Sequence, residues 1–142
     1  MGAPFYKPDG AWAADFIGGT VSLVANDSFA CAAAGAMPMR CRISATVAYA
    51  QGRRGYGIMV RSSTDPENAY YIRTEPSRHR LVSDSWPRKG DIPHRVRLER
   101  PLEARADRMH SMVVLVDGSV CELYVDDRIA MSTRLYDLAE GG

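Results

Sequence analysis

Nine side chains on the predicted strands and on one loop have the chemistry to bind a ligand rich in hydroxyl groups. Arginine, aspartate and glutamate can form paired hydrogen bonds with neighbouring hydroxyls, and an aromatic ring offers a flat apolar surface. The nine candidates are Arg61, Tyr71, Arg73, Asp84, Trp86, Arg88, Glu122, Tyr124 and Arg134. Strand alternation places four of these on the side away from the core: Arg61, Arg73, Glu122 and Arg134. The same residues could equally form structural Arg–Glu pairs or dock a neighbouring domain.

Other kinds of chemistry lack fitting patterns in the sequence. The three histidines are scattered and have no metal-ligand partner at i+2 or i+4. The aspartates at 117, 126 and 127 could hold calcium, but turn formation explains the same residues. There is no glycine-rich phosphate loop and no nucleophile elbow. We therefore expect no cofactor and no metal.

Composition excludes some classes of partner. The 142 residues carry 18 Lys+Arg against 17 Asp+Glu, a net charge of +1. Such a balance produces no field that would attract nucleic acid or an anionic membrane. Cys31, Cys41 and Cys121 have no CxxC spacing and lie in apolar stretches, so we expect reduced core thiols. With neither a signal-peptide pattern nor an apolar run of transmembrane length, the sequence predicts a cytoplasmic protein.

The elements that must position the candidates are short strands. Residues 113–136 predict a three-stranded meander, in which Asp117-Gly118 is typical of a type I′ hairpin turn. Upstream, the pattern predicts strands at 20–24, 29–34, 42–49, 56–61, 69–75, 79–82 and 94–98. The stretch 83–93 is predicted to be a charged loop around Trp86. About ten short strands, without an amphipathic helix, indicate an all-β sandwich or barrel.

The first 19 residues differ from the remainder. They are rich in aromatic residues and broken by prolines, and they end at the pair Gly18-Gly19, which is typical of a flexible joint. We therefore predict an N-terminal segment at 1–19 and a sandwich domain at 20–142. The segment is expected to dock through its aromatic residues. The first hairpin of the domain is expected to pair 20–24 with 29–34 around Asn26-Asp27.

Four motifs resemble one known family in their order along the chain. They are GIMVRSS from Gly57, YYIR from Tyr70, the stretch from Leu81 to Arg88, and the closing meander with VDGS, ELY and STRLY. This order resembles the C-terminal β-sandwich of glycoside hydrolase family 32, the β-fructosidases. The resemblance covers about residue 20 to 142 and implies a concanavalin A-like antiparallel sandwich of the jelly-roll type. Similar modules, detached from the catalytic domain, bind fructans such as levan.

A second, shorter resemblance concerns residues 4–17, which are similar to the first strand of the catalytic propeller in a subgroup of these enzymes. Asp15 would then match the catalytic nucleophile. A retaining glycosidase needs a second carboxyl group roughly 5–5.5 Å away, and none has a fitting context here. The propeller with its Arg-Asp-Pro and Glu-Cys motifs is absent, and Cys121-Glu122 has the reverse order. We expect no catalytic residue in this chain, Asp15 excepted if the propeller resemblance holds.

The resemblance implies an accessory module that binds fructan or stabilises the catalytic domain of its parent enzyme. Two alternatives stay open: a fragment of an active β-fructosidase, and a lectin-like or laminin G-like module for another glycan or protein. The family continues past Gly142 with a further strand, so an open sheet edge is expected. That edge would pair with a second copy or capture residues 12–17.

Overall fold

The computed structural model describes residues 12–15, 20–23, 31, 37–50, 54–62, 68–86 and 97–136. The chain divides into two compact units. One contains residues 1–36 and 64–66, and the other contains residues 37–63 and 67–142. The boundary predicted after residue 19 stays a prediction.

The described part of the first unit contains one antiparallel pair of strands. Strand β1 (Trp12–Asp15) pairs with β2 (Thr20–Leu23), with Trp12 opposite Leu23 and Asp15 opposite Thr20. Residues 12–15 therefore pair with the strand expected to open the sandwich domain. Of the predicted partner strand 29–34, only Cys31 lies within the described residues, and it is buried.

The second unit is a sandwich of two four-stranded sheets. Its strands are β3 (Arg40–Val47), β4 (Tyr56–Val60), β5 (Ala69–Glu75), β6 (Arg80–Trp86), β7 (Leu98–Pro101), β8 (His110–Asp117), β9 (Val120–Val125) and β10 (Ile129–Arg134). The strand orders are β10-β9-β8-β3 and β4-β5-β6-β7, and every pairing is antiparallel. The all-β, concanavalin A-like antiparallel sandwich predicted from the sequence is confirmed.

Alternation along the strands builds the core between the two sheets. In β8, residues 110, 112, 114 and 116 are buried while those between them are half-buried, which is the period-two pattern of a strand with one face on the core. Val114 and Leu123 from one sheet join Ile72 and Leu81 from the other in a single buried cluster. Because this cluster lies between the sheets, their outward faces lie on opposite sides of the sandwich.

The two turns of the meander differ in type, and the first is not of the type predicted for it. Asp117 pairs with Val120, so the central residues of the first turn are Gly118 and Ser119. Only Gly118 has positive φ (55°), which is the type II′ pattern with glycine at the first central position. The expected type I′ turn is therefore wrong here. It occurs instead at Asp126 and Asp127, which have φ of 54° and 52°.

The other departures concern β6 and β7. Strand β6 continues to Trp86, beyond the predicted end at Val82. The prediction ended too early because Ser83 and Ser85 are polar, yet both face the core and are buried. The predicted loop therefore begins at least four residues too early. Strand β7 lies at Leu98–Pro101, so it shares Leu98 with the strand predicted at 94–98 and continues beyond it. A 3₁₀ turn at Pro76–Arg78 joins β5 to β6. None of the described helical segments is long and apolar enough to cross a bilayer.

Candidate functional site

The structure divides the predicted site residues between the two outward faces of the sandwich. Glu122, Tyr124 and Arg134 lie on the outward face of the sheet formed by β3, β8, β9 and β10; we call this group the β9–β10 patch. Tyr71, Arg73 and Asp84 lie on the outward face of the other sheet. A single ligand cannot contact both groups, because the core lies between them.

The β9–β10 patch is an open surface. Glu122 lies opposite Leu115 and Ser132, Tyr124 lies opposite Val113 and Ala130, and Arg134 lies opposite Val120; this arrangement follows from the strand register. The Tyr124 side chain is 36% exposed, and its hydroxyl donates a hydrogen bond to Glu122 Oε2 at 3.0 Å. That bond to the carboxylate raises the pKa of the Tyr124 hydroxyl, which stays protonated at neutral pH. Arg134 Nη1 donates to Ser119 Oγ at 3.0 Å.

Hydrogen-bonding capacity remains unused in this patch. Within the described residues, Glu122 accepts one side-chain hydrogen bond through Oε2, and Arg134 donates one through Nη1. A carboxylate has about four acceptor sites and a guanidinium five donors. The patch therefore combines an exposed aromatic ring with an acidic and a basic group that can each bind further hydroxyls.

The opposite face has an ionic network, which we call the β5–β6 ladder: Arg73, Glu75, Arg80, Asp84 and Glu99. Glu75 accepts hydrogen bonds from Arg73 Nε at 2.9 Å and from Arg80 Nε at 2.8 Å. Arg80 also pairs with Glu99, and Arg73 Nη2 lies 3.8 Å from Asp84 Oδ2. The charges of the ladder are therefore largely paired with one another.

Glu75 is the centre of this ladder. Burial would raise the pKa of its carboxyl group, but the hydrogen bonds from Arg80 and Arg73 outweigh that cost, and the pKa lies below its usual value. Neither Glu75 nor Arg80 was among the residues predicted from the sequence. The signal that could have found them is their position directly opposite each other, on either side of the short turn at residues 76–79.

Asp84 and Tyr71 lie opposite each other on β6 and β5. Asp84 is only 2% exposed and accepts a hydrogen bond from the backbone N–H of Ser85 at 3.0 Å. Tyr71 is half-buried. This part of the predicted site therefore offers a ligand much less surface than the β9–β10 patch does.

Arg61 does not lie on an outward face, so the expectation from strand alternation is wrong for this residue. Strand β4 ends at Val60, and Arg61 has a φ of 50°, which breaks the alternation. Its side chain turns inward, and the residue is 9% exposed. Its guanidinium donates to the backbone oxygens of Gly118 and Leu135.

Trp86 and Arg88 can be placed only in part. Trp86 is the last residue of β6, and its backbone lies opposite Ala69. Arg88 lies outside the described residues. The role of both in binding stays a prediction, as it does for the other seven candidates. Asp15 ends β1, opposite Thr20.

A polar cluster that the sequence did not predict lies at the end of the sandwich where β8 begins. His110 is 1% exposed; its Nδ1 lies 2.8 Å from Asp126 Oδ2, and its Nε2 accepts from the backbone N–H of Arg105 at 3.0 Å. Asp126 also accepts from the backbone N–H of Ser111 at 2.9 Å. Burial opposes ionisation of Asp126, but these bonds prevail and lower its pKa. With each partner satisfied, we assign the cluster a structural role.

Metal ligands are not grouped in the part of the chain that the structure describes. No three His, Cys, Asp or Glu side chains there are placed to hold an ion. Asp117 instead pairs with Arg40 at 2.7 Å. The turn interpretation accounts for Asp126 and Asp127, whose positive φ values are tolerated by aspartate.

The fold and its polar outward faces define a small antiparallel β-sandwich module. The family described as "Glycosyl hydrolases family 32 C terminal" matches residues 20–141, and the chain belongs to this family. None of the curated proteins compared with the chain matches it. Among solved structures, the carbohydrate binding module CBM66 from Bacillus subtilis is similar, with a TM-score of 0.66 and 20% identity, over 94% of this chain and 80% of that chain. At this identity the likeness shows a shared fold.

Proposed function

We propose that the chain is a non-catalytic accessory β-sandwich that binds fructan through the β9–β10 patch. The observation that carries the proposal is the exposed Tyr124 ring beside Glu122, with Arg134 further along the same face, on the other side of Glu122. Within the described residues, both charged groups have unused hydrogen-bonding capacity. Sugar recognition needs this combination of an apolar platform and polar groups at its rim. Support also comes from the family to which the chain belongs and from its structural neighbour, which is named a carbohydrate binding module.

Isothermal titration of the full chain with levan, inulin and fructose tests this proposal. We expect binding to at least one of the three. Tyr124→Ala and Glu122→Gln should each weaken it about tenfold or more, which corresponds to roughly 1.4 kcal/mol. Circular dichroism checks that each variant is folded.

Two further variants give the titration its controls. Met109→Ala removes a side chain that is 66% exposed and lies outside the patch, and it should bind as the wild type does. Tyr71→Ala alters the opposite face and should also bind normally. Loss of binding in Tyr71→Ala with normal binding in Tyr124→Ala would transfer the site to the other face. If the wild type binds none of the three sugars, the proposal is overturned.

A second candidate function is docking on the catalytic domain of a family 32 enzyme. It is favoured by three exposed apolar residues near Arg134 and the β8–β9 turn: Met39 is 64% exposed, Tyr136 is 60% exposed and Val120 is 38% exposed. Val120 lies opposite Arg134, the Met39 carbonyl accepts a hydrogen bond from the backbone N–H of Gly118, and Tyr136 lies two residues after Arg134. Apolar groups grouped in this way mark interaction sites more often than scattered ones do. Docking would be favoured if the chain binds none of the three sugars but co-elutes with a purified family 32 catalytic domain. We expect the chain not to co-elute with such a domain.

Catalysis by this chain alone forms no part of the proposal. Asp15 would act as nucleophile only with a second carboxyl group held nearby by a propeller. Release of fructose from sucrose or levan, abolished by Asp15→Asn, would overturn this view. Cytoplasmic location and pairing of two copies through an open sheet edge also remain predictions.

A further inference from the structure

Arg61 is a buried arginine at the end of the sandwich where β4 and β10 finish. Its left-handed φ of 50° is uncommon for a residue with a long side chain and turns the side chain away from the strand direction. Its Nη2 donates to Gly118 O at 2.6 Å, and its Nη1 donates to Leu135 O at 3.0 Å. One guanidinium thus joins the β8–β9 turn to the residue that follows β10.

The two carbonyls that Arg61 holds are each adjacent to residues at the rim of the β9–β10 patch. Gly118 precedes Ser119, and Leu135 follows Arg134. Ser119 and Arg134 are themselves bonded through Oγ and Nη1 at 3.0 Å, and the backbone N–H of Leu135 donates to Ser119 O at 2.8 Å. Arg61 therefore anchors the backbone on both sides of the Arg134–Ser119 contact.

The two carbonyls at this position need a donor group whose N–H directions are fixed. A guanidinium presents several donors in fixed directions and can satisfy two separate carbonyls at once, whereas an ammonium is a compact charge on a flexible stem. Bonds to a charged donor are stronger than bonds between neutral groups. A lysine at position 61 would retain the charge but would not hold both carbonyls in the same geometry.

We propose that Arg61 is a positioning residue for the sugar-binding patch: it does not contact the ligand but fixes the rim that orients Arg134. This inference rests on the proposed fructan binding. It also gives a physical reason for an arginine at a position that strand alternation assigned to the surface.

The test is a thermodynamic cycle measured by isothermal titration with the fructan that the wild type binds. Arg61→Lys and Arg61→Met should each weaken binding about tenfold. In an Arg134→Ala background the same two substitutions should have an effect of less than twofold, because the residue through which Arg61 acts is absent. Arg40→Met is the matched control. It removes an 81% exposed arginine that pairs with Asp117 at the same turn, and it should change affinity by less than twofold.

Hydrogen exchange separates local positioning from general loosening. In Arg61→Lys the Leu135 amide should exchange at least tenfold faster than in the wild type, while the Val114 amide in the central strand β8 should be unchanged. If Arg61→Met does not fold, Arg61→Lys alone carries the test.

Three results would overturn the inference: unchanged affinity in Arg61→Lys, an equal loss in the Arg134→Ala background, or faster exchange at both amides. Failure of the wild type to bind any fructan would remove this inference together with the proposed function. The wild-type titration alone distinguishes that outcome from a failure that concerns only Arg61.

Discussion

Glu75→Gln should destabilise the sandwich because it removes a carboxylate on which three arginines converge. Arg73 and Arg80 donate to Glu75 at 2.9 and 2.8 Å, and Arg78 Nη1 lies 3.6 Å from it. The Glu75 side chain is only 11% exposed. Glutamine keeps the shape and one acceptor oxygen, so the substitution isolates the loss of charge.

The size of the effect follows from how exposed the partners are. A hydrogen bond to a charged group contributes about 1.5–3 kcal/mol to stability. The arginines Arg73 and Arg80 are partly exposed, at 30% and 19%, so solvent screens part of the interaction. We expect Glu75→Gln to lower the free energy of unfolding by about 2 kcal/mol. Glu99→Gln, whose carboxylate is 55% exposed in its pair with Arg80, should cost less than about 1 kcal/mol.

Urea unfolding of the wild type and both variants, followed by circular dichroism at several pH values, measures this difference. The folded-state pKa of Glu75 is lowered, so its ionised form stabilises the fold above the unfolded-state pKa of about 4.3. That stability is lost as the pH falls through the lower folded-state pKa. The gap between wild type and Glu75→Gln should therefore be constant from neutral pH to about pH 5.5 and shrink below about pH 4. A gap no larger than that of Glu99→Gln, or one that widens in acid, would refute the reasoning.

Further substitutions and labelling test other parts of the fold. Gly57→Ala should lower the free energy of unfolding, measured by calorimetry, by about 3 kcal/mol, because a Cβ there would overlap the backbone of β5. Gly118→Ala should lower it by about 1 kcal/mol, because the position has open space but a φ of +55°. Equal losses in the two variants would contradict this. Asp126→Asn should lower the free energy of unfolding by roughly 1–3 kcal/mol in urea, since it weakens the support of the buried His110; no change would count against that role. Burial raises the pKa of the Cys121 thiol to about 11. Mass spectrometry should therefore find this thiol unlabelled by iodoacetamide at pH 7.5 in the folded chain and labelled in urea. Rapid labelling of the folded chain would show that the thiol is accessible and contradict its burial.

Much of the fold is predictable from the sequence because most strands alternate strictly. The bounds of β5 are as predicted, β9 and β10 lie within the meander predicted at 113–136, and β8 begins three residues before it. Alternation fails where polar residues are buried. Ser83 and Ser85 face the core, and single-sequence patterns assign such residues to loops. The length of β6 therefore could not be read from its composition.

The candidate site was only partly predictable, because alternation assigns a residue to a face but not to a sheet. Arg73 and Arg134 both lie off the core, as predicted, yet they are on opposite sides of the sandwich. Strand order, which depends on long-range pairing, decides that separation. Arg61 shows a second limit: one residue with positive φ after the end of a strand changes a predicted surface group into a buried one.

Binding of fructan at the β9–β10 patch can be observed residue by residue through chemical-shift mapping. Backbone amide spectra of the isotopically labelled chain would be recorded during titration with a short levan oligosaccharide. We predict that the largest, saturable shifts occur at Glu122, Tyr124 and Arg134, with little change at Arg73 and Asp84. Shifts confined to Arg73 and Asp84, or no saturable shift at any residue, would contradict fructan binding at this patch.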